Sequence, residues 1–391
     1  MSKLHNLRWQ VFVLVLTSFA LGFSEFVIVG ILNDIARQLH TSVVSVGSLV
    51  TWFALIYALS TPIIATALGH FNLYKSITSL MLVFIVGNLL SAVANSFGLL
   101  AISRVITALV SGVLVSIAMT FANYIAPMDK RPRLVAGIYS GFSIASVLGV
   151  PVGTWVSVQF GWHQTFWLIV ILSIVTLILM FICLPRDIVP PKSNLKAQLS
   201  LLTDKKILVG MWLPMLNLAA IYPLYTYLRP ILSSQLHFSA GGVTLILFLY
   251  GITSIVSNQI SGVLAEHNGL RLMAPIYVGL IIMLLIFPLS FNWRLISVLL
   301  ILMIGIVMYV VSSPIAIFYL DIAEQKYPQS ILLASSINSI FSNFGIALGS
   351  ATGSGVFQDK GLSAVASSGV LYAILAIAVV LIIVKLERIQ K

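Results

Sequence analysis

The feature that most constrains this chain is a series of apolar runs, each long enough to cross a bilayer and each separated from the next by a short polar turn. Twelve such runs fall at 9–31, 44–67, 77–95, 98–122, 134–157, 166–184, 207–229, 243–264, 273–291, 295–318, 331–355 and 364–385. About 20 helical residues cross a hydrocarbon core some 30 Å thick. Inside that core a backbone satisfies its polar groups only as a helix or a closed barrel. Runs of this length predict an all-α membrane protein with twelve transmembrane helices. Composition closes off the soluble alternative. The chain is 60% hydrophobic and 8% charged, whereas soluble domains carry about 25% charged residues. A soluble fold of this composition would expose large apolar patches and aggregate.

The first ten residues carry Lys3 and Arg8 ahead of an apolar run, as a signal peptide would. The run continues from Trp9 to about Ile31, too long for a signal core, and reads as a retained first helix. A single cysteine, Cys183, excludes an internal disulfide and a cysteine metal cluster. The six histidines show no metal spacing, and no phosphate-binding glycine loop or Walker lysine is present. No cofactor, metal or ATP is therefore expected, and no nucleophile–base pattern suggests an enzyme. The net charge of +11 comes from basic residues scattered singly through short loops, which predicts no nucleic-acid partner.

An even number of spans puts both termini on one side. With that side as the cytoplasm, its segments hold Lys75, Lys130, Arg131, Arg133, Arg186, Lys192, Lys196, Lys205, Lys206, Arg271 and Lys326, as well as the basic residues of both termini. The outer loops hold only Arg37, Arg294 and Lys360. This bias predicts cytoplasmic termini. The longest polar connection, 185–206, contains Pro190 and Pro191 and lies at the middle of the chain. It reads as a cytoplasmic linker between a six-helix bundle over 1–184 and a second over 207–391.

Two comparisons suggest that these halves are repeats. Residues 66–75 and 262–271 each run from a small apolar stretch through a polar turn to a basic residue. Span 5 carries Gly141, Ala145, Gly149 and Gly153, and span 11 carries Gly345, Gly349 and Gly353, both at intervals of four. Residues four apart share a helix face, and a stripe of small residues lets two membrane helices approach closely. Tight static packing and a sliding contact both fit such a stripe. Pro151, between Gly149 and Gly153, predicts a bend. Two similar bundles around a central site are the architecture of an alternating-access carrier.

Several stretches resemble the major facilitator superfamily, and in particular its twelve-helix drug:proton antiporters in the sugar-efflux and arabinose-efflux permease group. They are Ser24-Glu25-Phe26-Val27 through Asn33-Asp34-Ile35-Ala36 in span 1, Ser103-Arg104 followed by Gly112 in span 4, Gly149-x-Pro151-x-Gly153 in span 5, and the loop Gly161-Trp162-His163-Gln164-Thr165-Phe166. The resemblance implies a two-bundle transporter fold. Two places depart from the group. The loop after span 2 has His70, Phe71 and Tyr74 where the group has an Asp and basic residues, and the gating ion pair looks better kept as Glu266 and Arg271 in the second half. Arg229 stands before Pro230, where related exporters often have an acid.

A charge within a bilayer is costly and marks a functional site by default. Glu25 is the clear carboxylate within a span, Asp34 lies at the outer end of span 1, and Arg104 is the clear intramembrane cation. Glu25 and Arg104 each sit roughly 9–10 Å below the outer end of their spans, so they meet if spans 1 and 4 are adjacent, as the resemblance implies. Burial favours the protonated carboxyl and a nearby guanidinium favours the ionised one. A movement that changes their separation or hydration would load and release a proton. A static ion pair that fixes the packing is the alternative.

The substrate cavity is expected to be mostly apolar with a few polar groups. Asn217, Tyr222, Tyr225 and Arg229 form one cluster in span 7, with Tyr222, Tyr225 and Arg229 expected on one face, while Tyr227 is expected in the interfacial aromatic belt. Trp52, Tyr57, Tyr139, Phe142, Tyr309, Asn338 and Asn343 complete the candidates, with ordinary packing as the competing role for each aromatic. The expected function is a monomeric, proton-coupled antiporter of the inner cell membrane that exports a small organic solute: a sugar, nucleoside or hydrophobic drug. A proton symporter or a lipid or glycolipid translocator on the same fold is the alternative, and a sensor that has lost transport is the alternative of another class.

Overall fold

The fold is that of a computed structural model, which describes residues 2–68, 71–125, 131–189, 200–266, 269–327 and 330–388. Every regular element among these residues is helical. The first six helices are α1 (Ser2–Gln38), α2 (Val43–Leu68), α3 (Leu73–Ala92), α4 (Phe97–Ile125), α5 (Arg131–Phe160) and α6 (Trp162–Cys183). After the linker come α7 (Lys205–Gly210), α8 (Trp212–Thr226), α9 (Ala240–Glu266), α10 (Gly269–Ile286), α11 (Arg294–Val307), α12 (Ser312–Lys326), α13 (Ile331–Lys360) and α14 (Val370–Arg388). Eleven stretches among the described residues are long and apolar enough to cross a membrane, with Arg294–Lys326 counted as one across α11 and α12. Helix α13 is also of crossing length at 30 residues, is richer in Ser, Asn and Gly, and is not among the eleven.

The chain divides into two compact units, Met1–Ser42 with Ile56–Ser193 and Val43–Leu55 with Asn194–Lys391. In the first unit α1 packs along α5. A side chain at Gly141 would strike the carbonyl oxygen of Val15, and one at Gly149 or Gly153 would strike Phe23 or Val27. In the second unit α8 packs along α13 in the same way. There Gly345 sits on the carbonyl oxygen of Met215, Gly349 on that of Ala219, and Gly353 on Pro223. Both stripes therefore carry backbone-to-backbone approaches, with the two helices running parallel.

Short connections enforce this packing. Gly161 joins α5 to α6 with φ 94°, a left-handed conformation that a side chain would strain. Asn72 caps α3 by accepting from the Lys75 amide, and its Nδ2 donates to the Arg186 carbonyl at 2.6 Å. The Leu73 amide donates to the Ile188 carbonyl at 2.9 Å, so the chain leaving α6 satisfies an otherwise orphaned group at the start of α3.

Two spans expected to be continuous are broken, both where proline removes a backbone donor. Pro230 deprives the Thr226 carbonyl of its partner, α8 ends at Thr226, and the chain passes through a helical turn at Leu228–Pro230 into a π turn at Ile231–Gln235. Tyr225 and Arg229 lie on opposite sides of this break, so the expected common face is not a single helix face. Pro314 similarly deprives the Val310 carbonyl, and 308–311 form turns between α11 and α12. Side chains satisfy the freed groups there. Asn217 Nδ2 donates to the Met308 carbonyl, and the Tyr309 and Ser313 amides donate to Ser257 and Ser261 of α9, all at 2.8 Å. Pro275 also lies within a helix, α10, which begins at Gly269 rather than 273.

Tyr227 requires a correction. It is fully buried rather than in an interfacial belt. Its hydroxyl lies 2.6 Å from Ser354 Oγ, and its ring meets Phe357 edge-on at 5.1 Å. The break in α8 turns its side chain inward onto α13. The paired loop stretches that suggest duplication fall partly outside the described residues, at 69–70 and 267–268, as do 126–130 and 190–199 of the basic loops and linker.

Candidate functional site

The interior of the first unit holds a pair of opposite charges. Arg104, on α4, is almost completely buried. Glu25, on α1, is partly exposed in a stretch whose neighbours, residues 21–24 and 26–32, are buried. The two charges lie within each other's electrostatic reach. Arg104 Nη1 donates to Ser24 Oγ at 3.1 Å, Ser24 Oγ donates to Asn88 Oδ1 at 2.8 Å, and Asn88 Nδ2 donates to the Phe84 carbonyl at 2.9 Å. Asp34 has a different environment. It accepts from Ser157 of α5 and pairs with Arg37 at 3.5 Å, which fastens the end of α1.

The other candidates are scattered. Trp52 is exposed on α2, whereas Tyr57 is buried with its ring over Gly112. Phe142 meets Phe26 edge-on at 5.3 Å. The side chain of Tyr139 lies outside the described residues. Tyr222 meets Tyr225 edge-on at 5.2 Å, and Tyr225 stacks on Tyr250 of α9 at 5.3 Å. Asn217 is engaged at both ends, since it donates to Met308 and its Oδ1 accepts from Tyr277 at 3.1 Å. Arg229 is buried and Tyr309 is partly exposed in the turn after α11. On α13, Asn338 is partly buried and Asn343 is buried, with its Nδ2 donating to the Ser339 carbonyl at 3.1 Å. Glu266 and Arg271 are both exposed, and no ion pair joins them among the described residues.

A second correspondence between the units is visible only in three dimensions. In the first unit, Thr61 Oγ1 donates to the Tyr57 carbonyl at 2.6 Å, and both side chains cover Gly112 of α4. In the second, Thr253 Oγ1 donates to the Tyr250 carbonyl at 2.6 Å, and both cover Gly305 of α11. This motif and the glycine stripes set the two units in register. Glu25 lies ten residues beyond Val15, and Tyr225 lies ten beyond Met215. Arg104 lies eight before Gly112, and Ser297 lies eight before Gly305. The charged pair of one unit thus answers to a tyrosine and a serine in the other. Tyrosine and glycine are 55 residues apart in each unit, while Tyr57 and Thr61 are four apart and Tyr250 and Thr253 three.

The sequence profile of the Major Facilitator Superfamily matches residues 14–350. The chain belongs to this superfamily. Among its superfamily relatives is the uncharacterised MFS-type transporter YtbD of Bacillus subtilis (strain 168), 32% identical over 348 residues, 89% of this chain and 88% of that protein. The inner membrane transport protein YdhP of Escherichia coli (strain K12) is 27% identical over 376 residues, 96% of each chain. The crystal structure of a D-xylose-proton symporter matches with a TM-score of 0.76 at 16% identity, covering 96% of this chain and 97% of that one, which shows the shared fold. The chain is thus a multi-pass membrane transporter of the major facilitator superfamily, with a small molecule as its substrate and a lipid bilayer as its surroundings.

Proposed function

We propose that this transporter is a proton-coupled antiporter that exports a small organic solute, such as a sugar, nucleoside or hydrophobic drug, by alternating access. Glu25 and Arg104 carry this reading: they are opposite charges inside two spans and within electrostatic reach of one another. Glu25 carries the proton. Arg104 favours its release, and Asp34 sets the outer end of the path.

Helix α13 forms the twelfth span, with Asn343 and Ser350 among its buried residues. The bias of basic loops supports cytoplasmic termini, an inner cell membrane location and a six-plus-six division around the linker at 185–206. The transporter works as a monomer. The solute is held by the aromatic and amide candidates, with Tyr222, Tyr225 and Arg229 of the second unit in contact with it. The glycine stripes with Pro151 serve as the surfaces on which helices rock, and Glu266 and Arg271 act as a cytoplasmic latch.

The test is a screen of solute gradients in proteoliposomes that contain a pH dye, run on wild type and Glu25→Gln in parallel. Counterflow of protons on solute addition is expected in wild type and not in Glu25→Gln. Full proton-driven transport by Glu25→Gln would sink the coupling reading, and proton flow along with the solute would turn antiport into symport.

A further inference from the structure

Behind Arg104 runs a chain of neutral hydrogen bonds whose direction is fixed. Asn88 Nδ2 donates to the Phe84 carbonyl at 2.9 Å, which turns Asn88 Oδ1 toward Ser24. The single hydroxyl proton of Ser24 is given to that oxygen at 2.8 Å. Only the lone pairs of Ser24 Oγ remain for Arg104, whose Nη1 donates to them at 3.1 Å. Reversing the amide would set its oxygen against the Phe84 carbonyl. All three side chains are buried, and they come from three helices: Asn88 from α3, Ser24 from α1 beside Glu25, and Arg104 from α4.

We propose that Ser24 and Asn88 are positioning residues, forming a neutral cradle that holds Arg104 when Glu25 is protonated and competes with Glu25 for the guanidinium when it is not. The inference rests on the proton-coupling reading above. A buried guanidinium needs acceptors in both states of Glu25. The carboxyl is a charged acceptor only when ionised and a weaker, neutral one when protonated, whereas the cradle supplies the same acceptor at every pH. The donation to Ser24 fixes one end of the guanidinium and restrains how it turns toward Glu25, so the cradle weakens the hold of Arg104 on the ionised carboxylate. Its removal leaves the guanidinium to Glu25 and shifts proton release to lower pH.

Apart from Tyr57 of α2, whose ring lies over Gly112 of α4, the remaining titratable residues on the packed helices stand toward helix ends. They are Asp34, Arg37, Arg8, His5 and Lys3 on α1, Tyr74 and Lys75 on α3, Tyr124 on α4, Arg131 and Arg133 on α5, and His163 and Cys183 on α6. Tyr139 stands further inside α5, with its side chain outside the described residues. Asn88 and Ser24 do not titrate, so an effect on the midpoint reports positioning rather than a new proton site.

The test is an infrared titration of the purified full-length protein, with Glu25→Gln subtracted to isolate the Glu25 carboxyl band. Ser24→Ala is expected to lower the midpoint by about one pH unit, and Asn88→Leu to lower it by a smaller amount. A structural role would reduce yield or melting temperature and leave the midpoint in place. An unmoved midpoint in Ser24→Ala, or a Glu25 band that does not titrate, overturns the proposal. Ser24→Ala removes one oxygen and decides the matter even where Asn88→Leu does not fold. Proton-linked transport is read separately in vesicles. Its absence from wild type would end the antiporter reading, while the infrared midpoint still judges the cradle.

Discussion

In the first unit α1 lies on α5 through Gly141, Gly149 and Gly153, and the residue ten beyond Val15 is a carboxylate. In the second unit α8 lies on α13 through Gly345, Gly349 and Gly353, and the residue ten beyond Met215 is a tyrosine stacked on another tyrosine. The packing is repeated and the chemistry is not. A glycine stripe is a geometric demand of close helix contact and is needed wherever that contact is made. A buried charge is a cost, retained only where it acts. The comparison teaches that at these matched positions the first unit carries a charged pair and the second a tyrosine and a serine, the buried cation of the second unit, Arg229, standing beyond the break in α8.

The largest test of this contrast is at Glu25 and its counterpart. Glu25→Gln is expected to reduce solute-linked proton movement by about a hundredfold, whereas Tyr225→Phe changes it by less than about twofold, both read with the vesicle pH dye. Equal losses would erase the electrostatic difference between the units. Next in size is the shared packing. Gly141→Val and Gly345→Val are each expected to cost about 1–3 kcal/mol, seen as matching falls in melting temperature in detergent. A large fall in only one would show that the stripes do unequal work.

The second unit has a broken span, α11–α12, held by serines. Ser257→Ala leaves the Tyr309 amide without its partner and is expected to cost about 1–2 kcal/mol by the same measurement. The smallest effect is expected from Tyr227→Phe, which loses the Ser354 hydrogen bond and keeps the ring on Phe357. Such a bond inside a membrane protein contributes about 0.6 kcal/mol. A much larger loss would give Tyr227 a role beyond packing.

The sequence makes some of this legible because membrane chains write certain demands plainly. The all-helical fold follows from run length, and the glycine stripes follow from a spacing of four on one helix. Glu25 and Arg104 stand out because charge is so scarce around them, and their depths in separate spans suffice to suggest a meeting. What pairs across helices is hidden. Tyr57 with Gly112 and Tyr250 with Gly305 share a spacing of 55, but a separation of that length does not announce a contact, and Ser24 with Asn88 has no counterpart at its spacing. Asn217 looks like a cavity residue in sequence, yet the Met308 carbonyl, in the turns between α11 and α12, and the hydroxyl of Tyr277 take both its ends. Tyr227 reads as an interfacial aromatic because the sequence does not reveal the break that turns it inward. The prolines themselves are visible, but membrane helices tolerate proline too often for position alone to say which one breaks the helix.

The contacts at Gly141 and Gly345 limit how this protein is able to change over generations. Each glycine faces a main-chain carbonyl oxygen, of Val15 and of Met215, and not a side chain. A bulky neighbour can be trimmed by a second mutation, but a carbonyl is present whatever residue bears it. No substitution at the facing position restores room for a side chain there. Suppressors of a Gly141 or Gly345 variant must therefore arise elsewhere, at positions that let the whole helix stand further off.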